Sequence, residues 1–411
     1  MPSLSRRQFS ATALAFASSA RRLFAASNSA GIAETLRAGL EKRGIPCATA
    51  IVANAGSITY SGAFGKRDSA SSINATTGSI FRIASMTKAI TTTAALQLVE
   101  QRKVTLDEPV AKYLPQLAKL DVLEGFDSSG KPILRPAKTQ IALKHLLTHT
   151  SGFVYPTWNA TLAQYNRVIG SNAPATAVAP LTPLLFEPGT RWHYGTSVDW
   201  AGKLVEKISG LSLEQYFQKN ILQPLGMKDT SFLVAPEKFD RLVSTYRRQP
   251  DGKLKEDPRT QPAAPAEYNG GGGLFSTAAD YIRFMQMILR KGRIEGQTGG
   301  KDQILSPKTV ALMSENQIGA VPIEPLKSTD ATVTMDLDVG PGNKYSYGFL
   351  VNSLPELGRP AGTLMWAGVE NSFYWIDPKR SICAVIMMQF FPFLDPQGAG
   401  MLTDFAKAVY A

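Results

Sequence analysis

Apolar runs and alternating stretches predict β-strands at both ends of the chain. Residues 48–53 form an apolar run, residues 58–62 alternate, and Asn54-Ala55-Gly56 between them is typical of a hairpin turn. Asp377-Pro378-Lys379-Arg380 predicts a second tight turn, because Pro at the second position presets its backbone. Strand-like runs near this turn lie at 363–366, 372–376 and 381–388. We expect one sheet assembled from both chain ends.

Segments in which apolar residues have helical spacing lie between and beside these strands. Helices are predicted over 33–43, from Ser85 to about Gln101, and over 398–409. The second of them has one apolar stripe, formed by Met86, Ile90, Leu96 and Val99. From 106 to 290, further helical segments are separated by Pro and Gly.

These patterns predict an α+β fold in which helices flank an antiparallel sheet. The α/β part would comprise 28–105 and 291–411, and 106–290 would be a mainly helical inserted domain. The stretch 318–343 is rich in Pro, Gly and Thr and long for a connection, so it either borders a cleft or is mobile.

The composition is that of a globular protein with a basic surface. The 411 residues include 44 Lys and Arg against 33 Asp and Glu, a formal net charge of +11. No basic run or nucleic-acid-binding motif accompanies this excess, so we expect no nucleic-acid partner. No segment has 18 uninterrupted apolar residues, so we expect no membrane span.

The first 27 residues resemble a twin-arginine export signal. Ser5-Arg6-Arg7-Gln8-Phe9 precedes an apolar stretch of small residues over 11–20, and Arg21-Arg22 follows it. Small residues would allow cleavage after Ala20 or after Ser27. The protein is therefore expected to be periplasmic or secreted.

The cysteines and histidines favour structural roles. Cys47 and Cys383 each lie in a strand-like run, which favours two buried free thiols, although an oxidising compartment would permit a bridge. His145 and His149 have i, i+4 spacing but lack the H-E-x-x-H pattern of zinc sites. With His193, they are the three histidines of the chain. We expect no metal and no cofactor.

Ser85-Met86-Thr87-Lys88 is the strongest candidate for covalent chemistry. A serine nucleophile needs a group that removes its proton, and no G-x-S-x-G motif accompanies the histidines. Residues three apart share a helix face, so Lys88 can reach the hydroxyl of Ser85. The helix amino terminus also offers unpaired N–H groups that would stabilise an oxyanion.

Several motifs agree with S-x-x-K in order and spacing. They are Phe81 to Lys88, Leu146 to Gly152, Phe186 to Thr190 with Trp192 to Thr196, Pro224 to Met227, and Gly270 to Thr277. In these segments the chain, from about Gly31 to its C-terminus, resembles the serine β-lactamase and penicillin-binding superfamily. It is most similar in pattern to class C β-lactamases and family VIII carboxylesterases.

The resemblance implies roles for particular residues. Ser85 would form an acyl-enzyme, and Lys88 and Tyr194 would share proton transfer, with the base of each half-reaction unassigned. The backbone N–H groups of Ser85 and Val369 would form the oxyanion hole. Substrate-binding positions would be Thr196, Trp366, Ala367 and Gly368. Thr277 and Asp280 predict a capping box that follows the glycine run.

Two departures from the β-lactamase pattern bear on the substrate. Trp366-Ala367-Gly368 stands where β-lactamases have K-T-G, and Tyr194-Gly195-Thr196 stands where they have Y-x-N. An indole cannot replace the lysine that meets the carboxylate of a penicillin, but it offers an apolar wall for an acyl or alkoxy group.

The sequence therefore favours a carboxylesterase that acts on small or short-chain esters. A weak β-lactamase, a D-amino-acid amidase or peptidase, or an acyl transferase on the same scaffold is the alternative. A non-catalytic penicillin-binding-like protein is less favoured, because all three reactive side chains are present. The expected partner is a small-molecule ester or amide, and the oligomeric state is left open.

Overall fold

The computed structural model describes residues 29–170, 179–296, 302–340, 342–353, 355 and 358–411. The predicted export signal and both candidate cleavage sites lie outside these residues, so export stays a prediction. Within the described part of the chain, no helix has both the length and the apolar character needed to cross a bilayer.

The main sheet of the described chain has seven antiparallel strands, drawn from both chain ends. Across the sheet they are β2 (Ile58–Gly65), β1 (Cys47–Ala53), β13 (Ile382–Met387), β12 (Ser372–Asp377), β11 (Leu364–Gly368), β10 (Leu350–Val351) and β9 (Lys344–Tyr345). Ala53 lies opposite Cys383 and Thr49 opposite Met387, which joins the N-terminal hairpin to the C-terminal strands. The predicted α+β fold and its shared sheet are confirmed.

Short strands form three smaller sheets within the described residues. They are β3 (Phe81–Arg82) with β8 (Phe275–Ser276), β4 (Asp121–Phe126) with β5 (Pro132–Pro136), and β14 (Phe390–Phe391) with β6 (Tyr246–Arg248) and β7 (Leu254–Glu256). The first pair ties the segment before Ser85 to the end of the glycine run.

Helices cover the sheet and fill the middle of the chain. The α-helices are α1 (29–43), α2 (Thr87–Glu100), α3 (Leu143–Leu147), α4 (Ala160–Val168), α5 (Ser197–Ser209), α6 (Leu213–Phe217), α7 (Ala278–Leu289), α8 (Pro307–Leu312) and α9 (Pro396–Tyr410). A π-helical turn, Gln218–Leu222, extends α6. Single 3₁₀ turns include Ala84–Met86 directly before α2.

Helix α2 is central rather than peripheral. Met86, Ile90 and Leu96 of the predicted stripe are buried, but so is every residue from Thr87 to Leu98, so the buried surface is wider than one stripe. The helix packs against α5 and α6, and a helix enclosed on all sides needs no polar face. The hydroxyls of Thr87, Thr91 and Thr93 have hydrogen-bond partners, such as the carbonyl of Ala89 for Thr93 Oγ1 at 2.9 Å, whereas that of Thr92 has none among the described residues.

The region 106–290 contains strands that the sequence patterns missed. The hairpin of β4 and β5 turns at 127–131, where Asp127 Oδ1 accepts the backbone N–H groups of Ser129 and Lys131 at 2.8 and 3.0 Å. Residues 127–130 read Asp-Ser-Ser-Gly, which is typical of a turn. The sequence analysis did not use this turn to predict a hairpin, because it described 106–290 as helical segments separated by Pro and Gly. The expectation of helical segments alone was incomplete here.

The two cysteines are buried free thiols, as expected. Cys47 begins β1, whereas Cys383 lies opposite Ala53 at the other end of that strand. Six residues of extended chain span about 20 Å, far beyond the reach of a disulfide. Burial raises the pKa of the Cys47 thiol to about 12, so it stays protonated at neutral pH.

The N-terminal cap of α7 is predicted to stabilise the fold. Thr277 Oγ1 accepts the backbone N–H of Asp280 at 3.1 Å. Thr277→Val keeps the side-chain volume but removes this acceptor, so we expect the free energy of unfolding to fall by about 1 kcal/mol. Urea denaturation measures the change. Thr277→Ser retains the hydroxyl and should lose less, and a valine variant as stable as the wild type would contradict the cap.

Candidate active site

Ser85 lies in a strained turn at the entrance to α2. The turn is 3₁₀, with the N–H of Met86 bonded to the carbonyl of Ile83 at 3.0 Å. Ala84 has a φ of 43°, a left-handed conformation that is unfavourable for a residue with a side chain. The strain sets the direction of Ser85, whose side chain remains half-buried while its neighbours in α2 are fully enclosed.

Neighbouring elements hold this turn from both sides. The N–H of Ile83 donates to the carbonyl of Leu274 at 3.1 Å, continuing the pairing of β3 with β8. The hydroxyl of Tyr281 in α7 donates to the carbonyl of Met86 at 2.9 Å. These bonds keep a strained conformation that the turn would not adopt alone.

Lys88 is the centre of the site and is only 1% exposed. Its Nζ lies 3.2 Å from Ser85 Oγ, 3.2 Å from the hydroxyl of Tyr155 and 2.6 Å from the carbonyl of Gly271. A neutral amine has two N–H donors and one lone pair. It can therefore donate to Tyr155 and Gly271 and accept the hydroxyl proton of Ser85, which is the arrangement a base requires.

Behind Lys88 lies a second polar pair, Tyr155 and Asp199, that the sequence analysis missed. The Tyr155 hydroxyl donates to Asp199 Oδ2 at 3.4 Å. Burial raises the pKa of the Asp199 carboxyl, and the nearby Lys88 opposes that rise. Burial, together with Asp199, also raises the pKa of Tyr155 well above its usual range, so this tyrosine stays a hydroxyl.

The glycine run is built around this pair. A Cβ on Gly271 would lie 2.2 Å from Asp199 Oδ2, so only glycine lets the loop pass between Asp199 and Lys88. The neighbouring Gly270 carbonyl accepts the hydroxyl of Thr91 at 2.6 Å, which fixes the loop to α2. The run is thus a tight structural loop, as expected, and it also supplies an oxygen ligand for Lys88.

Tyr194 lies in the site, but its hydroxyl does not bond to Lys88. Nζ of Lys88 is 4.8 Å from the centroid of the Tyr194 ring, over its face. Among the described residues, the hydroxyl accepts the indole N–H of Trp366 at 3.3 Å. The structure thus brings Tyr194 to the site, where its part in proton transfer stays a prediction, and the tyrosine hydroxyl that contacts Lys88 Nζ is that of Tyr155.

The Trp366-Ala367-Gly368 segment adjoins the nucleophile as expected. A Cβ on Gly368 would lie 2.6 Å from the carbonyl of Ile83, so this glycine permits the end of β11 to approach the turn of Ser85. β10 pairs only with Leu364 and Met365, which leaves the Trp366–Gly368 backbone without a ladder partner on that edge in the described chain. Val369 follows directly, and its part in an oxyanion hole stays a prediction.

Aromatic rings enclose the site. Tyr194 contacts Trp366, Tyr155 and Trp158, with ring centroids 4.9, 5.2 and 5.5 Å away. His149 packs 4.8 Å from the same ring, and no described residue bonds either of its ring nitrogens. Its burial, reinforced by the charge of Lys88, lowers its pKa well below the usual range, so it is neutral.

Thr196 and His145 lie in buried or hydrogen-bonded positions of the fold. Thr196 is buried directly before α5, and its hydroxyl has no partner among the described residues. His145 uses Nδ1 to accept the backbone N–H of Ala142 at 3.1 Å. The described residues contain no group of three or more His, Cys, Asp or Glu side chains that could hold a metal ion.

The segment 318–343 borders the site. Trp158 donates its indole N–H to the carbonyl of Met335 at 3.2 Å, and the N–H of Met335 bonds to the carbonyl of Phe393 at 2.9 Å. Of the two alternatives weighed for this stretch, its described part supports the first, a wall beside the cleft.

A cavity of about 450 Å³ continues from this wall along β11. It is lined on one side by Met365, Trp366 and Ala367 and on the other by the described part of 337–343. Ser85 does not line it. Trp366 is shared by the cavity and the aromatic cluster around Tyr194, so the cavity adjoins the reactive groups through this residue.

Comparison with known proteins agrees with this geometry. The sequence model of the family described as Beta-lactamase matches residues 32–403. The chain belongs to the β-lactamase family. It is therefore a serine hydrolase or acyltransferase of that family. The resemblance to the serine β-lactamase superfamily, predicted from the sequence motifs, is confirmed.

The names of individual relatives indicate one of two activities, acyl transfer or ester hydrolysis. The chain is 34% identical over 354 residues to monacolin J acid methylbutanoyltransferase of Aspergillus terreus, covering 80% of this chain and 81% of the relative. It is 31% identical over 332 residues to lovastatin esterase of Penicillium rubens, covering 75% and 79%. The structure of unliganded simvastatin synthase from Aspergillus terreus aligns with a TM-score of 0.76 at 30% identity, covering 93% and 98%.

Two site residues of this β-lactamase-family chain could have been found only in part from sequence. Asp199 follows Tyr194 by five residues and lies in the first turn of α5, where an acidic residue is ordinarily assigned to the helix dipole. Tyr155 follows Leu146–Gly152 in a loop with no periodicity. The packing of α2 against α5 brings Asp199 near Lys88, and the loop at Tyr155 is held there by the bond from its N–H to the carbonyl of Tyr194 at 3.3 Å.

The Asp199 charge is predicted to set the pH dependence of activity. Asp199→Asn keeps the side-chain shape but removes an anion that stabilises a proton on the cluster of Lys88, Tyr155 and Ser85. We therefore expect the acid limb of kcat/KM for p-nitrophenyl butyrate to move to lower pH and kcat to fall at least about tenfold.

The matched control for that experiment is Asp280→Asn. Asp280 is also a buried carboxyl whose pKa burial raises, but it bonds Thr230 and the backbone of Asp229 instead of the site. Its pH–rate profile should match the wild type. An unmoved acid limb in Asp199→Asn would show that Asp199 carries no charge in the active enzyme.

The indole N–H of Trp366 is predicted to orient the Tyr194 hydroxyl. Trp366→Phe keeps an aromatic wall but removes this donor, so we expect kcat to fall about fivefold, the weight of one neutral hydrogen bond. Trp192→Phe is the control, because no described residue bonds its indole N–H in the same aromatic cluster. Equal kcat values for the two variants would rule out the orienting role.

Proposed function

We propose that this protein transfers acyl groups through an acyl-enzyme on Ser85, from an ester or thioester donor to an alcohol, with water as a competing acceptor. Lys88 accepts the Ser85 proton as Oγ bonds to the acyl carbon, and the proton passes to the departing alkoxide or thiolate. In the second half-reaction, the acceptor hydroxyl gives its proton to the same cluster, its oxygen bonds to the acyl carbon as the bond to Ser85 Oγ breaks, and Oγ takes the proton from the cluster.

The observation that carries this proposal is the three-oxygen environment of Lys88. A buried amine that contacts Ser85, Tyr155 and Gly271 is arranged to take the serine proton without becoming an isolated charge, since Asp199 lies one hydrogen bond away. Tyr155 links the amine to the carboxylate. Tyr194 lies where it can meet the leaving or entering oxygen, and Ser85 and Val369 offer backbone N–H groups to the oxyanion.

Transfer rather than simple hydrolysis is supported by the enclosure of the site. The Tyr194 aromatic cluster, the wall at Met335 and the cavity beside Trp366 give an apolar setting in which an alcohol with an apolar body competes well with water. The relatives named as methylbutanoyltransferases favour the same chemistry. This revises the order of preference in the sequence analysis, where hydrolysis came first.

Carboxylester hydrolysis is the second candidate. It is supported by the similarity to a protein named lovastatin esterase and by the replacement of the β-lactamase K-T-G lysine by Trp366. The same acyl-enzyme serves both activities, and the acceptor decides between them.

The test combines loss of the nucleophile with product analysis. With p-nitrophenyl butyrate and excess 1-butanol, the wild type should release p-nitrophenol and form butyl butyrate in preference to butyrate, measured by gas chromatography. Ser85→Ala should lose at least about 1000-fold in rate and keep its melting temperature, because only a hydroxyl is removed.

Covalent labelling supplies the controls. A fluorophosphonate should label the wild type and Ser57→Ala, whose altered serine is exposed in the β1–β2 turn, but not Ser85→Ala. Activity of Ser85→Ala within tenfold of wild type would refute the acyl-enzyme. Butyrate as the sole product at every butanol concentration would leave hydrolysis as the function.

A further inference from the structure

A buried arginine is among the residues that line the cavity beside β11. Arg359 lines the cavity and is 3% exposed. Its Nε and Nη1 have no hydrogen-bond partner among the described residues. The guanidinium carbon lies 5.9 Å from the centroid of Trp375, so the flat cation is held against an indole of the sheet.

This guanidinium keeps its charge despite burial. Burial lowers the pKa of Arg359 to about 10, which leaves it a cation at neutral pH. A buried ion without a counter-ion is strongly unfavourable, because it has lost water and gained no opposite charge. The fold therefore keeps a cation in a place where only an anion would compensate it.

Nearby carboxylates already have other partners. Asp377 accepts from Arg380 at 3.4 Å and from the hydroxyl of Tyr410 at 3.2 Å. Asp395 is paired with Arg248 at 2.5 Å. The acidic residue that lines the cavity, Asp338, is exposed and accepts the N–H of Gly340 at 2.9 Å.

The remaining polar groups of the cavity are also occupied. The Asn352 amide donates to the carbonyl of Arg359 at 3.4 Å, and Asn343 accepts the N–H of Ser353 at 2.7 Å. The other walls are largely apolar, with Leu350, Met365, Phe373 and Leu402 among them. Arg359 is thus the cation among the lining residues, and its Nε and Nη1 have no partner in the described chain.

We propose that this cavity binds a carboxylate carried on an apolar body, with the carboxylate paired to Arg359 and the apolar body along β11 toward Trp366. A planar guanidinium whose Nε and Nη1 have no partner among the described residues can pair with the oxygens of one carboxylate. A multiply charged phosphate would need further donors, which the apolar walls do not supply. A volume of about 450 Å³ accommodates a body of roughly drug size.

The site defines the substrate class of the proposed reaction. If the cavity binds a carboxylate, esters whose acyl or alcohol portion ends in a carboxylate should be preferred substrates. This preference rests on the proposed function. Binding of the carboxylate itself does not depend on Ser85, so the two proposals can fail separately.

Binding is tested first, by isothermal titration calorimetry with octanoate and its neutral analogue octanamide. The wild type and Ser85→Ala should bind octanoate at least about tenfold more tightly than octanamide. Arg359→Met replaces the cation by an apolar side chain of similar length and should abolish that preference, and Arg359→Lys should keep part of it. Arg380→Met is the matched control, because Arg380 also lies beside Tyr410 but is half-exposed and outside the cavity.

A second variant keeps the test decisive if Arg359→Met does not fold. Ala399 lines the cavity from α9, and Ala399→Phe fills the space without changing any charge. It should weaken octanoate and octanamide binding alike. Octanoate binding that is unchanged in Ala399→Phe, or equal in the wild type and Arg359→Met, would overturn the site.

Turnover then tests the substrate class. The substrates are p-nitrophenyl monoesters of dicarboxylic acids of increasing length, each compared with the neutral p-nitrophenyl ester of equal chain length. For at least one length, kcat/KM of the monoester should be at least about tenfold higher than that of the neutral ester. Arg359→Met should bring this ratio of kcat/KM values close to one. A ratio near one for every length in the wild type would overturn the preference. Loss of all turnover in Ser85→Ala with octanoate binding intact would support both proposals.

Discussion

The active site depends on the hydrogen bonds that surround the buried amino group of Lys88. An ammonium group in an interior is tolerated only when its three hydrogen-bonding positions are filled and an anion lies near. Here a serine, a tyrosine and a backbone carbonyl fill those positions, and Asp199 is reached through the tyrosine. Removing any one of them takes a hydrogen-bond partner from Nζ of Lys88, a side chain that is only 1% exposed.

This constraint explains features that otherwise look unrelated. Helix α2 is enclosed on all sides because a solvated helix would let water compete for the amine. The glycine run lacks side chains because its backbone must pass between Lys88 and Asp199. The left-handed conformation of Ala84 turns Ser85 toward the amine, and hydrogen bonds from the surrounding strands and α7 hold that conformation.

The substrate side of the site follows a different physical rule. Where β-lactamases have a lysine, Trp366 contributes a neutral indole that donates its N–H to Tyr194, and the cation of the adjoining cavity is Arg359. Moving a charge away from the reacting bond leaves an apolar setting around the acyl group. Recognition of an anion then occurs at a distance from the chemistry, where it can select a substrate without altering proton transfer at Ser85.

By itself, the sequence determined the features that depend on neighbours in the chain. Apolar runs and turn residues predicted the hairpin of β1 and β2 and the C-terminal strands, and three-residue spacing brought Lys88 to Ser85. Thr277 was recognised as a cap because its partner is three residues away.

Tertiary structure alone decided which distant groups meet. Tyr155 and Asp199 reach Lys88 through the packing of separate helices and loops, and Tyr194 was diverted to Trp366 by the same packing. Arg359 has no local motif, because a guanidinium becomes a binding group only when the surrounding fold removes its water and its counter-ions. Periodicity records which face of an element is apolar, whereas burial of a charge depends on elements that are far apart in the chain.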